Sequence, residues 1–217
     1  MKASLAAVRA GATDNEIADV GTSEMILAGS EFFSVQPIVT TGHRSAWGHQ
    51  TYGRVAVDTG DAVFIEFGAS YKRYTAPLMR TAVAGRRPPE MSERAEAVKL
   101  VLNAALAAVR PGSTCGSVAR AAIAAAKGLR PELRPDPEQS VGYSIGCSFP
   151  LTWGEYSTYL QRDNDTVLVP NMAFHISAGI RIPGSYGVTL SEAVGVTAIG
   201  SELLSPGVVR DLVVAPG

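Results

Sequence analysis

The sequence predicts an α+β domain in which helices open each half of the chain and antiparallel strands follow them. Helix signals cluster at residues 1–29 and 92–127, whereas runs rich in β-branched and aromatic residues cluster at 33–84 and 142–197. The chain has 217 residues, 46% apolar and 18% charged, enough to bury a sizeable core as one domain spanning 1–217.

Residues 1–10 read as the end of a helix, and Gly11-Ala12 as a helix–helix turn. Thr13-Asp14-Asn15-Glu16 is a capping box: the threonine oxygen accepts from the Glu16 amide, and the glutamate reaches back. A helix over 14–29 follows. Phe33 to Thr40 reads as a strand, and Val55-Ala56-Val57 as a strand end before the turn at 58–61. Ala62 to Gly68 is a near-continuous apolar run, as in a strand covered on both faces, and only Glu66 interrupts it. Tyr71 to Ala84 supplies a further strand pair. Val98, Leu102, Ala105, Leu106 and Val109 recur at helical spacing, and Pro111-Gly112 ends that helix. Ser117 to Lys127 is an alanine-rich helix, and 131–139 a proline-rich loop. Strands are expected at 142–149, 166–169, 172–181 and 186–197.

A net charge of −1 gives no field that would favour nucleic acid or anionic lipid. Cys115 and Cys147 offer neither a disulfide framework nor metal-ligand spacing, and suit a reducing, cytoplasmic setting. No apolar run approaches the length of a membrane span, and residues 1–8 lack the features of a signal peptide. The expected partner is a small-molecule substrate, with neither nucleic acid nor membrane.

Several segments, in order, carry a resemblance: "GATDNEIA", "IVTTGHRSAWGHQ", "GDAVFIEFGASYKRYTAPLMRTAVAG", "VRPG", "VGYSIG", "VLVPNMAFHISAGI" and "GVTLSEAVGVT". Together they resemble the catalytic domain of the pita-bread family, which includes creatinase, prolidase and methionine aminopeptidase. The resemblance implies a curved antiparallel sheet with helices from two similar halves. It also implies a homodimer, as in creatinase-like relatives, and the absence of their N-terminal domain. The metallopeptidases of this family bind two metal ions through two aspartates, a histidine and two glutamates. Those positions match Glu66, Pro77, Tyr143, Ser177 and Ser191 here. One carboxylate, a proline, a tyrosine and two serines are not a dinuclear site, so neither metal nor other cofactor is expected.

Creatinase works without metal and keeps a histidine that matches His49, but its two substrate-binding glutamates fall on Met79 and Ser177. The sequence is similar to ectoine hydrolases at "IEFGA", "VGYSIG", "WGEY" and the "SE" of "TLSEAV". The resemblance implies water attack on an amidine-like carbon.

His49 can give and take protons near neutral pH. Glu66, inside an apolar strand, has the profile of a nucleophile or acid–base group, or of a core ion pair with Arg80 or Arg44. Tyr143, Glu155 and Ser191 form the expected substrate-orienting set, with Tyr74 from the hairpin block and Trp153 as an aromatic wall. His175 is expected to face away from the pocket, and Glu192 to be structural. The function so implied is metal-independent hydrolysis of a non-peptide C–N bond. The same residues leave open a cyclase or lyase, or an inactive peptide- or ligand-binding module.

Overall fold

A computed structural model describes residues 1–135, 140–149 and 152–216. The first half contains helices α1 (Lys2–Ala7) and α2 (Asp14–Leu27), then strands β1 (Ile38–Thr41), β2 (Ala62–Tyr71) and β3 (Tyr74–Ala84). The second half repeats the plan with α3 (Pro89–Ala108), α4 (Cys115–Lys127), β4 (Gly142–Ile145), β5 (Ala173–Ile182) and β6 (Tyr186–Val196). Two short strands, β7 (Ser201–Leu203) and β8 (Val213–Ala215), complete it.

The strands form two four-stranded sheets, ordered β1-β2-β3-β8 and β4-β5-β6-β7. All pairings are antiparallel except β3 with β8. Helices α3 and α4 cover the outer face of the second sheet, packing Val98, Val101, Leu102 and Val118 against Phe174, Ile176 and Ile180. Helices α1 and α2 cover the first sheet, packing Leu5, Val8 and Ile17 against Val63, Ile65 and Phe67. Each sheet therefore turns its other face inward, toward the other half of the molecule.

The two sheets meet where β3 runs beside β6. There side chains stand in for a backbone ladder. Ser191 Oγ accepts from the Met79 N–H at 2.7 Å, Thr81 Oγ1 donates to Thr189 O at 3.0 Å and accepts from the Thr189 N–H at 2.9 Å. Arg80 Nη1 donates to Ser191 O at 2.6 Å.

Local chemistry explains most element ends. Thr13 and Glu16 form the expected capping box, with the Thr13 N–H donating to Glu16 Oε2 at 2.8 Å. Pro89 opens α3, where its missing N–H costs no helical bond. The expected strand at 33–40 begins only at Ile38, because Pro37 has no N–H to give a ladder. The segment 166–169 is not a strand: it makes a single bridge, Thr114 to Val167. The strand expected over 142–149 ends at Ile145, and Cys147 makes one bridge to Tyr74. Residues 136–139 of the predicted loop lie outside the described residues. Among the described residues, no helix is long and apolar enough to cross a membrane.

Candidate functional site

Glu66 lies near the middle of β2, opposite Ile38 on β1 and Met79 on β3. Strand alternation sends Val63, Ile65 and Phe67 into the helix-side core. It sends Phe64 and Glu66 inward, where Ile38, Phe64, Met79 and Trp153 form a small apolar cluster. Glu66 is fully buried, and neither carboxyl oxygen has a hydrogen-bond partner among the described residues. The ion-pair alternatives do not arise: Arg80 pairs with Glu192 at 2.8 Å, and Arg44 with Asp14 at 2.7 Å. Burial pushes the Glu66 carboxyl up to about 8, against a weaker downward pull from the Arg181 guanidinium. At neutral pH it is mostly protonated.

Across the interior, β4 pairs Tyr143 with His175 of β5, and β5 pairs Ser177 with Ser191 of β6. A chain of hydrogen bonds links three of these side chains. Tyr143 Oη lies 2.9 Å from His175 Nδ1, and His175 Nε2 lies 2.7 Å from Ser191 Oγ. Burial, then the charges of Arg80 and His49, push the His175 imidazole down to about 3, so the ring is neutral. Burial above all, then the neighbouring Glu66 and Tyr156 side chains, push the Tyr143 phenol above its usual value. The expectation that His175 faces away is overturned: Phe174 and Ile176 fill the helix-side core, so the strand period turns His175 inward. Ser191, expected to touch substrate, is fully buried with its hydroxyl already engaged by Met79 and His175. Glu192 is structural, held by Arg80 and Arg210.

His49 follows a short 3-10 turn, Gly42–Ala46, and adopts a left-handed backbone with φ 63°. This loop is tied down by buried Asp14, which accepts from Arg44, the Gly53 N–H and the Val55 N–H. His49 is exposed, and its imidazole is pushed down first by partial burial and then by Arg181. The Arg181 guanidinium lies against Gly48: a Cβ there would stand 3.2 Å from Nη2. Arg181 is exposed and makes no ion pair among the described residues. Its charge reaches both Glu66 and His49, so the exposed pair His49 and Arg181 marks the solvent side of the site. No motif in the sequence singles out Arg181. The period-two series His175, Ser177, Gly179, Arg181 is the signal that could have found it.

Trp153 is buried and packs on Gly68, where a Cβ would stand 2.7 Å from its ring. It belongs to the apolar cluster on the Glu66 side. Glu155 is exposed, accepts from Ser157 Oγ at 2.6 Å, and is held below the usual carboxylate range by that bond. Tyr74 is exposed at the hairpin end of β3, five residues from Met79, or ~16 Å along a strand. The structure does not bring it to Glu66. Tyr156 stacks on Tyr159 with ring centroids 5.9 Å apart, and lies tilted by 45° to Tyr143 at 5.2 Å.

The interior donor set does not fit a pair of divalent cations. It offers one carboxyl, hydroxyls, and an imidazole with both nitrogens engaged. Among the described residues, no three His, Cys, Asp or Glu side chains gather as a metal site.

Two inward-facing sheets wrapped by helix pairs, around a polar interior, define a pita-bread domain. The sequence profile of metallopeptidase family M24 matches residues 1–198, and the chain belongs to that family. It is 34% identical over 180 residues to an uncharacterized hydrolase/peptidase of Sinorhizobium fredii, covering 82% of this chain and 44% of that protein. It is 31% identical over 184 residues to the ectoine hydrolase of Halomonas elongata, covering 82% of this chain and 43% of that one. The crystal structure of dipeptidase PepE from Mycobacterium ulcerans superposes with a TM-score of 0.86 at 27% identity, covering 100% of this chain and 56% of that chain. The chain thus spans about half the length of the curated relatives it matches.

Proposed function

We propose that the chain is a metal-independent hydrolase of a non-peptide C–N bond in a small cyclic amidine or lactam. The observation that supports this most is Glu66, a buried carboxyl whose oxygens have no hydrogen-bond partner among the described residues and which burial pushes up to about 8. A carboxyl that carries its proton at neutral pH can deliver it to a departing nitrogen. Water adds to the ring carbon and one C–N bond breaks, giving an amide and an amine from an amidine, or an acid and an amine from a lactam. Glu66 gives its proton to the leaving nitrogen and recovers one from the attacking water. His49, exposed at the rim, exchanges protons with solvent. Trp153 and the Tyr143–Tyr156 pair offer aromatic faces to a planar ring.

The likeness to dipeptidase PepE favours a second reading, hydrolysis of a dipeptide. The test is to incubate the protein with ectoine and with an Xaa-Pro dipeptide, each with chelator and with added Mn²⁺. Ring opening of ectoine that chelator leaves unchanged is the expected result. Dipeptide cleavage only with Mn²⁺, and none of ectoine, would overturn the proposal in favour of the second reading.

A further inference from the structure

We propose that Ser191 and His175 form a neutral relay that fixes Tyr143 as a hydrogen-bond donor to the reacting group of a ligand beside Glu66. Each buried proton of this chain of side chains needs an acceptor. The Met79 N–H can only donate, so it takes one lone pair of Ser191 Oγ. The Ser191 hydroxyl is fully buried, and among the described residues its one other partner is His175 Nε2. If Nε2 carried the ring proton, Ser191 would have to accept twice, and its own buried proton would have no acceptor. Such an orphan costs ~1–3 kcal/mol. If Ser191 donates to Nε2, each buried proton has a partner. The single proton of the neutral ring is then on Nδ1, and Nδ1–H donates to Tyr143 Oη. The phenol accepts from the histidine, so its own O–H must point elsewhere.

That direction is the interior shared with Glu66, where Tyr143 packs on the Ile38, Phe64, Met79 and Trp153 cluster. Among the described residues Glu66 has no hydrogen-bond partner, so Tyr143 does not spend its proton there. The phenol O–H and the Glu66 carboxyl are thus two unspent groups facing one site. The relay conducts no proton, because an imidazole pushed down to about 3 does not accept one at neutral pH. It orients. Tyr143 touches the ligand; His175 and Ser191 are positioning residues. Resting on the function proposed above, this assigns the ligand an acceptor atom at the scissile carbon: a lactam or amide carbonyl oxygen, or the lone pair of a neutral amidine nitrogen. The O–H then stabilises the negative charge that develops there when water adds.

The relay can be tested without a substrate. The chain has three histidines, so ¹⁵N-histidine spectra of the wild type, His43→Gln and His49→Gln assign the ring nitrogens of His175. The expected result is one Nδ1–H tautomer of His175, unchanged from pH 5 to pH 9. A protonated Nε2, or titration of the ring within that range, would overturn the relay. Catalysis is read separately, with ectoine as the probe. Tyr143→Phe is expected to lower kcat by about 10²-fold with KM within a few-fold. Ser191→Ala is expected to lower kcat by about tenfold and to shift the alkaline limb of the pH profile little. Wild-type protein that shows the Nδ1–H tautomer but leaves ectoine intact sinks the proposed substrate and keeps the relay. Full kcat in Tyr143→Phe sinks the donor role.

Discussion

At the scale of single residues, the two buried titratable groups of the interior set opposite limbs of a stability profile. Glu66 titrates near 4.5 when free and near 8 in the fold. Between those values the folded state binds more protons, so stability falls as pH rises through the window. His175 titrates near 6.5 when free and near 3 in the fold. There the unfolded state binds more protons, so stability falls as pH drops below 6.5. Glu66→Gln should leave stability at pH 4 near that of the wild type. At pH 8.5 it should raise stability by ~2–4 kcal/mol, since each pH unit between the two Glu66 values is worth ~1.4 kcal/mol before relaxation. Urea titrations at both pH values measure the difference; parallel curves for the two proteins would show that Glu66 is not held protonated. Glu66 was legible in the sequence because one charge broke an apolar run. His175 was not, because an imidazole between Phe174 and Ile176 reads the same whichever face is buried.

At the scale of elements, the site depends on how α2 begins. Asp14, in the first turn of α2, is fully buried and holds Arg44, the Gly53 N–H and the Val55 N–H, the two sides of the loop that carries His49. An anion at a helix N-terminus is also favoured by the helix dipole. Asp14→Asn keeps the shape, removes the charge that Arg44 answers, and presents an N–H₂ where acceptors are needed. It is expected to cost ~2–3 kcal/mol. Amide exchange at Gly53 and Val55 should speed well beyond that of β2, because those two N–H groups lose their acceptor. Uniform acceleration across the chain, with no excess at those amides, would mean the loop is held by other contacts. The capping box that opens α2 was readable from residues 13–16 alone, as were the strand at 62–68 and the helix after Pro89, through periodicity and breakers. The tie from Asp14 to residues 53 and 55 was not, since it joins positions about forty apart through backbone groups. Strands β7 and β8 also escaped: each has three residues, too few for a period, and β8 borrows its place from β3 by a parallel pairing.

At the scale of the whole molecule, the site exists only because the two sheets face each other in one register. Glu66 comes from the first sheet, and Tyr143, His175 and Ser191 from the second. The join at β3 and β6 is therefore also the alignment of the site. At its centre Arg80, 1% exposed, donates to Glu192 Oε1, Met79 O, Ser191 O and Val209 O. One guanidinium thus binds both strands and the C-terminal segment. Burial raises the Glu192 carboxyl, and Arg80 and then Arg210 oppose that rise. A buried pair of this kind adds little over an apolar one, but removing Arg80 leaves the buried Glu192 charge with only Arg210, at 3.2 Å. Arg80→Met should therefore cost ~3–5 kcal/mol. Adding Glu192→Gln to it should recover part of the loss, because the stranded charge goes with it. The recovery would show as a double-variant loss smaller than the sum of the two single losses, measured by urea unfolding at pH 7. Strict additivity would mean that the carbonyl bonds of Arg80, and not its charge pairing, hold the sheets in register.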